Sequence, residues 1–414
     1  MPRAAQTFRN EIKLWGAGSW RCVMTDVMIL SACRTPIGKF QGALSSLTGP
    51  ELGAISIRTA LAQSGIAPEQ VDEVIMGNVL GAGVGQAPAR QAAIRAGLPT
   101  SVSALTINKV CGSGLKAIML AVQAIRAGDA DVVVAGGLES MSRAPYLVDR
   151  TGPALGDRKL IDSLQHEGLT CAICDRSMGL IAESLAESAG VSRQDQDLFA
   201  YESHQRAIAA MQAGHFTREI VPITITQRGK ESTITQDEGP RSDASIERLG
   251  KLSPAFQDNG SVTAGNASMI SDGAAAVVVA SRRFQEAHGL RAMARVVASA
   301  TAGLDPADLF VAPVPAIRQV LSRANLTVND IDLFEINEAF AVQAMACIRQ
   351  LELPHSKVNV NGGAIALGHP LGCSGARVVV TLLHAMQHRN AHRGVAALCL
   401  GGGNAVASVF ESVS

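Results

Sequence analysis

The feature that most constrains this chain is that it contains the same unit twice. Leu61–Leu80 (LAQSGIAPEQVDEVIMGNVL) and Leu321–Phe340 (LSRANLTVNDIDLFEINEAF) both read as a helix tail, a turn, an Ile/Val-Asp step and a strand. Gly112–Lys116 (GSGLK) and Cys373–Arg377 (CSGAR) follow in the same order, and Val132–Gly137 (VVVAGG) matches Ala397–Gly402 (ALCLGG). Three ordered anchors at nearly constant spacing predict two similar β/α halves packed as layers of helix and sheet. A site built from such halves is expected where they meet, at strand ends and helix starts.

Composition agrees. The chain has 414 residues, enough for about two to three domains. It is 47% hydrophobic but only 3% aromatic, so its core is predicted to be Ala, Val, Ile and Leu. With 40 glycines this is the make-up of a buried-sheet α/β enzyme, and it excludes disorder, collagen and coiled coil. Lys plus Arg and Asp plus Glu both total 36, which argues against nucleic acid as a partner. The nearest approach to a membrane span, Gly394–Phe410, is broken by Gly401, Gly402, Gly403 and Asn404. It reads as two buried strands joined by a tight glycine turn. Eight unevenly spaced cysteines form no disulfide framework and point to a reduced, cytoplasmic protein.

Residues 1–23 carry both tryptophans and no clear period. They read as an extraneous or disordered tail before a start at Met24, with a presequence the weaker alternative. The N-terminal half is expected over 24–141 and completed by about 271–291, where Ala274–Ala280 (AAAVVVA) reads as a returning strand. A loop or substrate domain with amphipathic helices is expected over 142–270, and the C-terminal half over 292–414.

Four places could carry chemistry. Cys111 precedes a helix whose apolar face is Leu115, Ile118, Met119 and Val122. A helix N-terminus favours thiolate, although a buried, inert cysteine is an equally ordinary outcome. His369 lies in a glycine-dense loop (NGGAIALGHPLGCSG) that opens another helix and is a candidate base for that cysteine. Cys399 ends a strand before Gly401, in a glycine run whose N–H groups suit an oxyanion hole. Asn337 follows another strand and could hold a substrate oxygen or a water. Two patterns read as decoys. Cys171-Ala-Ile-Cys174 lacks the second pair of a zinc site, and Gly81-Ala-Gly-Val-Gly85 lacks a dinucleotide register.

Taken together, CGSGLKA at Cys111, NEAFA at Asn337, GHPLG at His369, CLGGG at Cys399, VTAGNAS (Val262–Ser268) and GGLESMS (Gly136–Ser142) closely resemble the thiolase family from about Met24 to Glu411. CGSGLKA and SGAR look more like its acetyl-transferring branch than its long-chain degradative members. The resemblance implies a five-layered αβαβα fold with an inserted loop domain. It also implies reversible Claisen condensation of two acetyl-CoA to acetoacetyl-CoA and CoA. Cys111 would be acetylated, His369 would take its proton, and Cys399 would remove the α-proton of the second substrate. His369 and a water on Asn337 would hold the enolate oxygen, and the N–H groups of Cys111 and Gly401 the tetrahedral oxygen. Coenzyme A would enter as substrate, with no metal or redox cofactor and no membrane partner. It would contact Arg241 near the nucleotide, Ser268 and Ala264 along the pantetheine, and Met178 and Phe340 near the acyl end. A homotetramer or dimer is implied. Ser177, Arg248 and Cys373 depart from common family residues, and Ser177 bears on chain length. A degradative thiolase and a non-catalytic acyl-CoA or lipid carrier are the competing readings.

Overall fold

The computed structural model describes residues 25–152, 154–227 and 229–413. The expectation for residues 1–23 lies outside them. The first half runs β1 (Val27–Arg34), α1 (Gly49–Ser64), β2 (Glu73–Gly77), α2 (Pro88–Ala96), β3 (Ser103–Ile107), α3 (Ser113–Ala127) and β4 (Val132–Ser140). An excursion follows that includes β5 (Thr170–Cys171), β6 (Arg176–Ser177), α4 (Met178–Ser188) and α5 (Arg193–Gln212). The chain then returns as β7 (Ser271–Ser281). The second half is β8 (Ala294–Gly303), α6 (Pro313–Ala324), β9 (Leu333–Ile336), α7 (Ala341–Gln350), α8 (Leu371–Arg389), β10 (Arg393–Leu400) and β11 (Asn404–Ser412).

Nine strands form one continuous sheet in the order β9-β10-β11-β8-β1-β7-β4-β2-β3, and Gly38–Lys39 adds a short tenth beside β7. The order is nearly a mirror about the β1–β8 seam, where only Met28 and Ile29 pair with Arg295 and Ala294. In each half a parallel pair (β2 with β4, β9 with β10) is extended by antiparallel strands. Even β3 has a counterpart, in a single parallel bridge from Phe334 to Val358. Strands of the excursion pair only with one another.

The central strands β4 and β7 are buried throughout because both faces of the sheet are covered there, which is why they read as unbroken Val/Ala runs. At the edge, β3 is exposed or half-buried. Val133, Ala135, Val277 and Val279 point inward to a core shared with α3 and α8. Their neighbours Val132, Val134, Ala276 and Val278 point outward to α1 and α2. On the second half, α6 and Cys347 of α7 cover Val395, Ala397 and Ala407. The two halves of this one sheet enclose α3 and α8 between them and carry helices on their outer faces, which gives helix, sheet, helix pair, sheet, helix, the expected five layers.

Local signals set the helix ends. Thr48 and Glu51 form a reciprocal cap at the start of α1, and Gly65 ends it in the left-handed region at φ +75°. Arg34, fully buried on β1, pairs with Glu219 and Asp237 at 2.7 Å each and so pins the excursion to the sheet.

Strand register corrects one part of the repeat. Glu73 pairs with Val133, and its counterpart Leu333 pairs with Gly394. Val132–Gly137 therefore corresponds to a segment starting at Arg393, four residues earlier than the Ala397 start suggested by the sequence. Short runs of Val, Ala and Gly resemble one another at many offsets, and only the hydrogen-bond register separates them.

At the centre, α3 and α8 cross where Gly114 meets Gly375. A methyl group on Gly114 would lie 2.5 Å from the Ala376 backbone nitrogen, and one on Gly375 would collide with the Leu115 nitrogen. Neither backbone can yield, because both helices are buried in the same core. Gly114→Ala is expected to destabilise the protein by about 2–3 kcal/mol or more. Gly250→Ala, where a methyl group would meet nothing within 4 Å, should change stability by less than about 0.5 kcal/mol. Urea midpoints of the two variants against the parent make the comparison, and equal midpoints for Gly114→Ala and the parent would refute the tight crossing.

Candidate active site

The two central helices aim their N-termini at the same place. Cys111 stands one residue before the N-cap of α3, Gly112, and His369 one residue before the N-cap of α8, Pro370. Counting from the glycine crossing, α8 starts three residues earlier than α3, so His369 projects about one helical turn farther than Cys111.

The approach to Cys111 is a tight elbow. Val110 has φ +47°, a left-handed conformation that β-branched residues rarely adopt. Ser113 Oγ donates to the Val110 carbonyl at 2.6 Å and accepts from the Lys109 N–H at 2.8 Å, locking the bend. Gly112 has no room for a side chain, because Leu400 and Val406 occupy it. The elbow presents Cys111 to the backbone N–H groups of Cys111 itself and Gly401.

Burial outweighs those donors. It pushes the Cys111 thiol up to about 12, with the N–H groups opposing and the Glu139 carboxylate adding to the rise. The expectation that the helix start favours thiolate is therefore corrected. A thiol held that high calls for a base to take its proton.

His369 meets that need. Its Nδ1 lies 2.6 Å from Ser374 Oγ, and Ser374 Oγ donates its own proton to the Pro370 carbonyl at 2.8 Å. Ser374 can then only accept from the ring, which places the imidazole proton on Nδ1 and the lone pair on Nε2. Nε2 is buried with no partner among the described residues. Burial, with the Arg377 guanidinium second, lowers the His369 pKa to about 3, so the ring is neutral.

Cys399, the penultimate residue of β10, is buried beside Cys111. Burial first, then the neighbouring Cys111 and Cys347, raise its thiol well above the usual value. Beyond it Gly402 and Gly403 adopt φ +81° and +84°, which turns the chain into β11 and leaves Gly401 N–H facing Cys111.

Asn337 follows β9. Its Oδ1 accepts from Arg377 Nη2 at 3.4 Å, and its buried Nδ2 has no partner among the described residues. The amide therefore offers its donor end. Glu338 next to it anchors the turn by accepting from Ser203 Oγ at 2.7 Å and Asn359 Nδ2 at 2.8 Å.

One cavity of about 700 Å³ collects nearly all of the predicted residues. Cys111, His369, Cys399 and Gly401 line it together with Met178, Phe340, Ser268, Ala264 and Arg241. Asn337 is not part of the lining. Ser268 N–H donates to the Ala339 carbonyl at 3.0 Å, which joins the VTAGNAS loop to the NEAF turn. Phe340 packs edge-on against Phe256 and Phe310, making one wall aromatic. Of the departures, Ser177 lines the cavity and caps α4, Arg248 lines it while paired with Asp243, and Cys373 is buried in α8 away from it. Cys373 fills core space.

Sequence reasoning missed Ser374, Arg377 and Glu139. The first two lay in the SGAR motif, but only side-chain geometry shows them serving His369 and Asn337. Glu139 accepts from Asn78 Nδ2 at 2.6 Å and from the N–H groups of Val79, Leu80 and Gly372, joining the halves behind Cys111. Gly81–Gly85 is a surface turn outside the lining of the cavity.

Comparison with known proteins agrees with this geometry. The family model for the thiolase N-terminal domain matches residues 27–283, and that for the C-terminal domain residues 290–412. An acetyl-CoA acetyltransferase of Pseudomonas aeruginosa is 54% identical over 387 residues, 93% of this chain and 98% of that protein. One of Cupriavidus necator is 53% identical over 391 residues, 94% of this chain and 100% of its own. Among solved structures, the Bacillus anthracis acetyl-CoA acetyltransferase superposes with a TM-score of 0.92 at 43% identity, covering 94% of this chain and 99% of that one. Human mitochondrial 3-ketoacyl-CoA thiolase gives 0.92 at 42% identity, covering 94% and 100%. With two central helix starts, two strand-end loops and both family models in agreement across the chain, this protein belongs to the thiolase family.

Proposed function

We propose that this protein is an acetyl-CoA C-acetyltransferase, joining two acetyl-CoA reversibly into acetoacetyl-CoA and CoA. The observation that carries the reading is that Cys111, Cys399 and His369, whose Nε2 is free among the described residues, line one cavity. The similarity at about half of all positions to acetyl-CoA acetyltransferases supports the acetyl-transferring branch.

The chemistry follows from the protonation states. Nε2 of His369 takes the Cys111 proton as the sulfur attacks the thioester carbon of acetyl-CoA. The N–H groups of Cys111 and Gly401 hold the tetrahedral oxygen. The C–S bond to CoA breaks, and the departing thiolate takes the proton of Cys399, which burial has kept as a thiol. Cys399 thiolate then removes an α-proton from a second acetyl-CoA. The enolate oxygen is held by Nε2–H of His369, now a donor, and by a water on the Asn337 amide. Its carbon attacks the acetyl group and releases Cys111, which recovers its proton from His369. No step calls for a metal or redox cofactor.

CoA enters with its nucleotide near Arg241, its pantetheine along Ala264 and Ser268, and its acyl end near Met178 and Phe340. Two finer readings complete the proposal. Exposed apolar side chains at Tyr146, Val148, Leu155 and Leu160 support assembly into a homotetramer or dimer. Seven free cysteines among the described residues support a cytoplasmic setting. A degradative thiolase is favoured at one point only, by Ser177 in the cavity wall.

Thiolysis of acetoacetyl-CoA, compared with 3-ketoacyl-CoA of eight to sixteen carbons, tests the function. Acetoacetyl-CoA should be much the better substrate, and Cys111→Ala should lose roughly a thousandfold or more in kcat/KM. Preference for the longer substrates would assign the degradative branch, and no turnover of either would assign a carrier. Ser374→Ala should keep the fold but lower kcat/KM by roughly tenfold to a hundredfold, since the ring loses its tautomer and aim. Unchanged kinetics would refute that role.

The pKa of His369 falls from about 6.5 in the ordinary state to about 3 in the folded protein. The unfolded chain therefore binds the proton first, and this contribution to stability is complete above pH 6.5 and is lost as pH falls toward 3. His369→Gln should flatten the drop in Tm across that window. An identical acid profile for the variant would remove His369 as a source of the acid sensitivity.

A further inference from the structure

The Cys171-Ala-Ile-Cys174 segment is unused by this reaction. β5 and β6 pair antiparallel, with Cys171 opposite Arg176, so the chain reverses through residues 172–175 and Asp175 takes φ +49°. Such a turn brings residues three apart to within about 7 Å between Cα atoms. A disulfide spans roughly 4.4–6.8 Å. The two thiols lie close enough for each to shift the ionisation of the other.

The hairpin sits on the active-site glycine loop. Cys171 is buried in the same apolar cluster as Cys399, and its sulfur faces the backbone N–H groups of Cys174, Ile173 and Gly402. A methyl group on Gly402 would lie 3.6 Å from Ile173 Cδ1. Cys174 is half-buried beside Ile173, which is 70% exposed, so small oxidants reach the pair from solvent. Burial raises the Cys171 pKa, but the surrounding N–H groups and the Cys174 thiol outweigh it and hold it below the usual thiol value. The other six described cysteines are all shifted upward, with burial the first cause in each.

We propose that Cys171 and Cys174 form a reversible dithiol–disulfide couple on the rim of the cavity, oxidised by hydroperoxides ahead of Cys111 and Cys399. The Cys171 thiolate attacks the O–O bond of the hydroperoxide, gains one oxygen as a sulfenic acid, and releases the alcohol (water, for hydrogen peroxide). The Cys174 sulfur then displaces that hydroxyl, the S–S bond forms, and water leaves with the Cys174 proton. The pair loses two electrons and the hydroperoxide gains them; an external dithiol reverses the change. The inference rests on the hairpin and not on the reaction assigned above.

The test uses the whole protein treated with limiting hydrogen peroxide, quenched with N-ethylmaleimide and digested with trypsin. Leu160–Arg176 carries both cysteines and no other. This peptide should become about 2 Da lighter and unalkylated, and dithiothreitol should restore it. The change should run at least about fivefold faster than loss of alkylation at Cys111 or Cys399. In Cys174→Ser, Cys171 should instead be trapped by dimedone as its sulfenic acid. Full alkylation of Cys171 and Cys174 while Cys111 or Cys399 is already oxidised would overturn the proposal, as would a disulfide from either to any other cysteine. The parent protein alone decides the matter should the variant fail to fold.

Discussion

Everything in this molecule hangs on two helix backbones touching at Gly114 and Gly375. Side chains at either point would force α3 and α8 apart, since each position abuts the other helix's backbone nitrogen. The contact fixes where both helices begin, and the loops entering those helices carry the nucleophile and the base. A shift of an ångström there would change the spacing of Cys111 and His369, a misplacement of the size that costs about a hundredfold in rate.

Close packing of the halves also sets the electrostatics. The centre is dry, so ionisation is suppressed in every functional group: Cys111 and Cys399 are held as thiols and His369 as a neutral ring. Three uncharged groups cost far less to bury than a thiolate–imidazolium pair. Charge is expected only when substrate arrives, at oxygens already faced by N–H donors. Behind the site, the buried charges are kept to the seams. Glu139 bridges to α8 through Gly372 N–H, and Arg377 lies 3.7 Å from Glu335 while reaching Asn337.

The excursion between β4 and β7 contributes walls to the cavity. Met178 starts α4, and Arg241 and the VTAGNAS loop line the cavity beyond it. Its attachment is polar: Arg34 reaches Glu219 and Asp237, and Ser203 Oγ of α5 donates to Glu338 at 2.7 Å. The hairpin at Cys171 belongs to this excursion yet lies against Gly402, which places it where the inserted segment and the catalytic halves meet.

The sequence by itself determined the duplicated architecture, the buried Val/Ala strands and the four motifs, because each leaves a local trace. Covered strands need apolar runs, helices need caps, and tight turns need glycine. Cys111, His369 and Cys399 were legible for that reason, each beside a glycine-marked break. Tertiary structure alone decided what those groups are. Burial raised a thiol that its helix start would otherwise have lowered, and the Ser374 hydroxyl, occupied by the Pro370 carbonyl, chose the histidine tautomer. It also decided the strand register, which moved one repeat anchor by four residues. Dielectric, hydrogen-bond direction and register arise between segments distant in the chain, so no stretch of sequence records them.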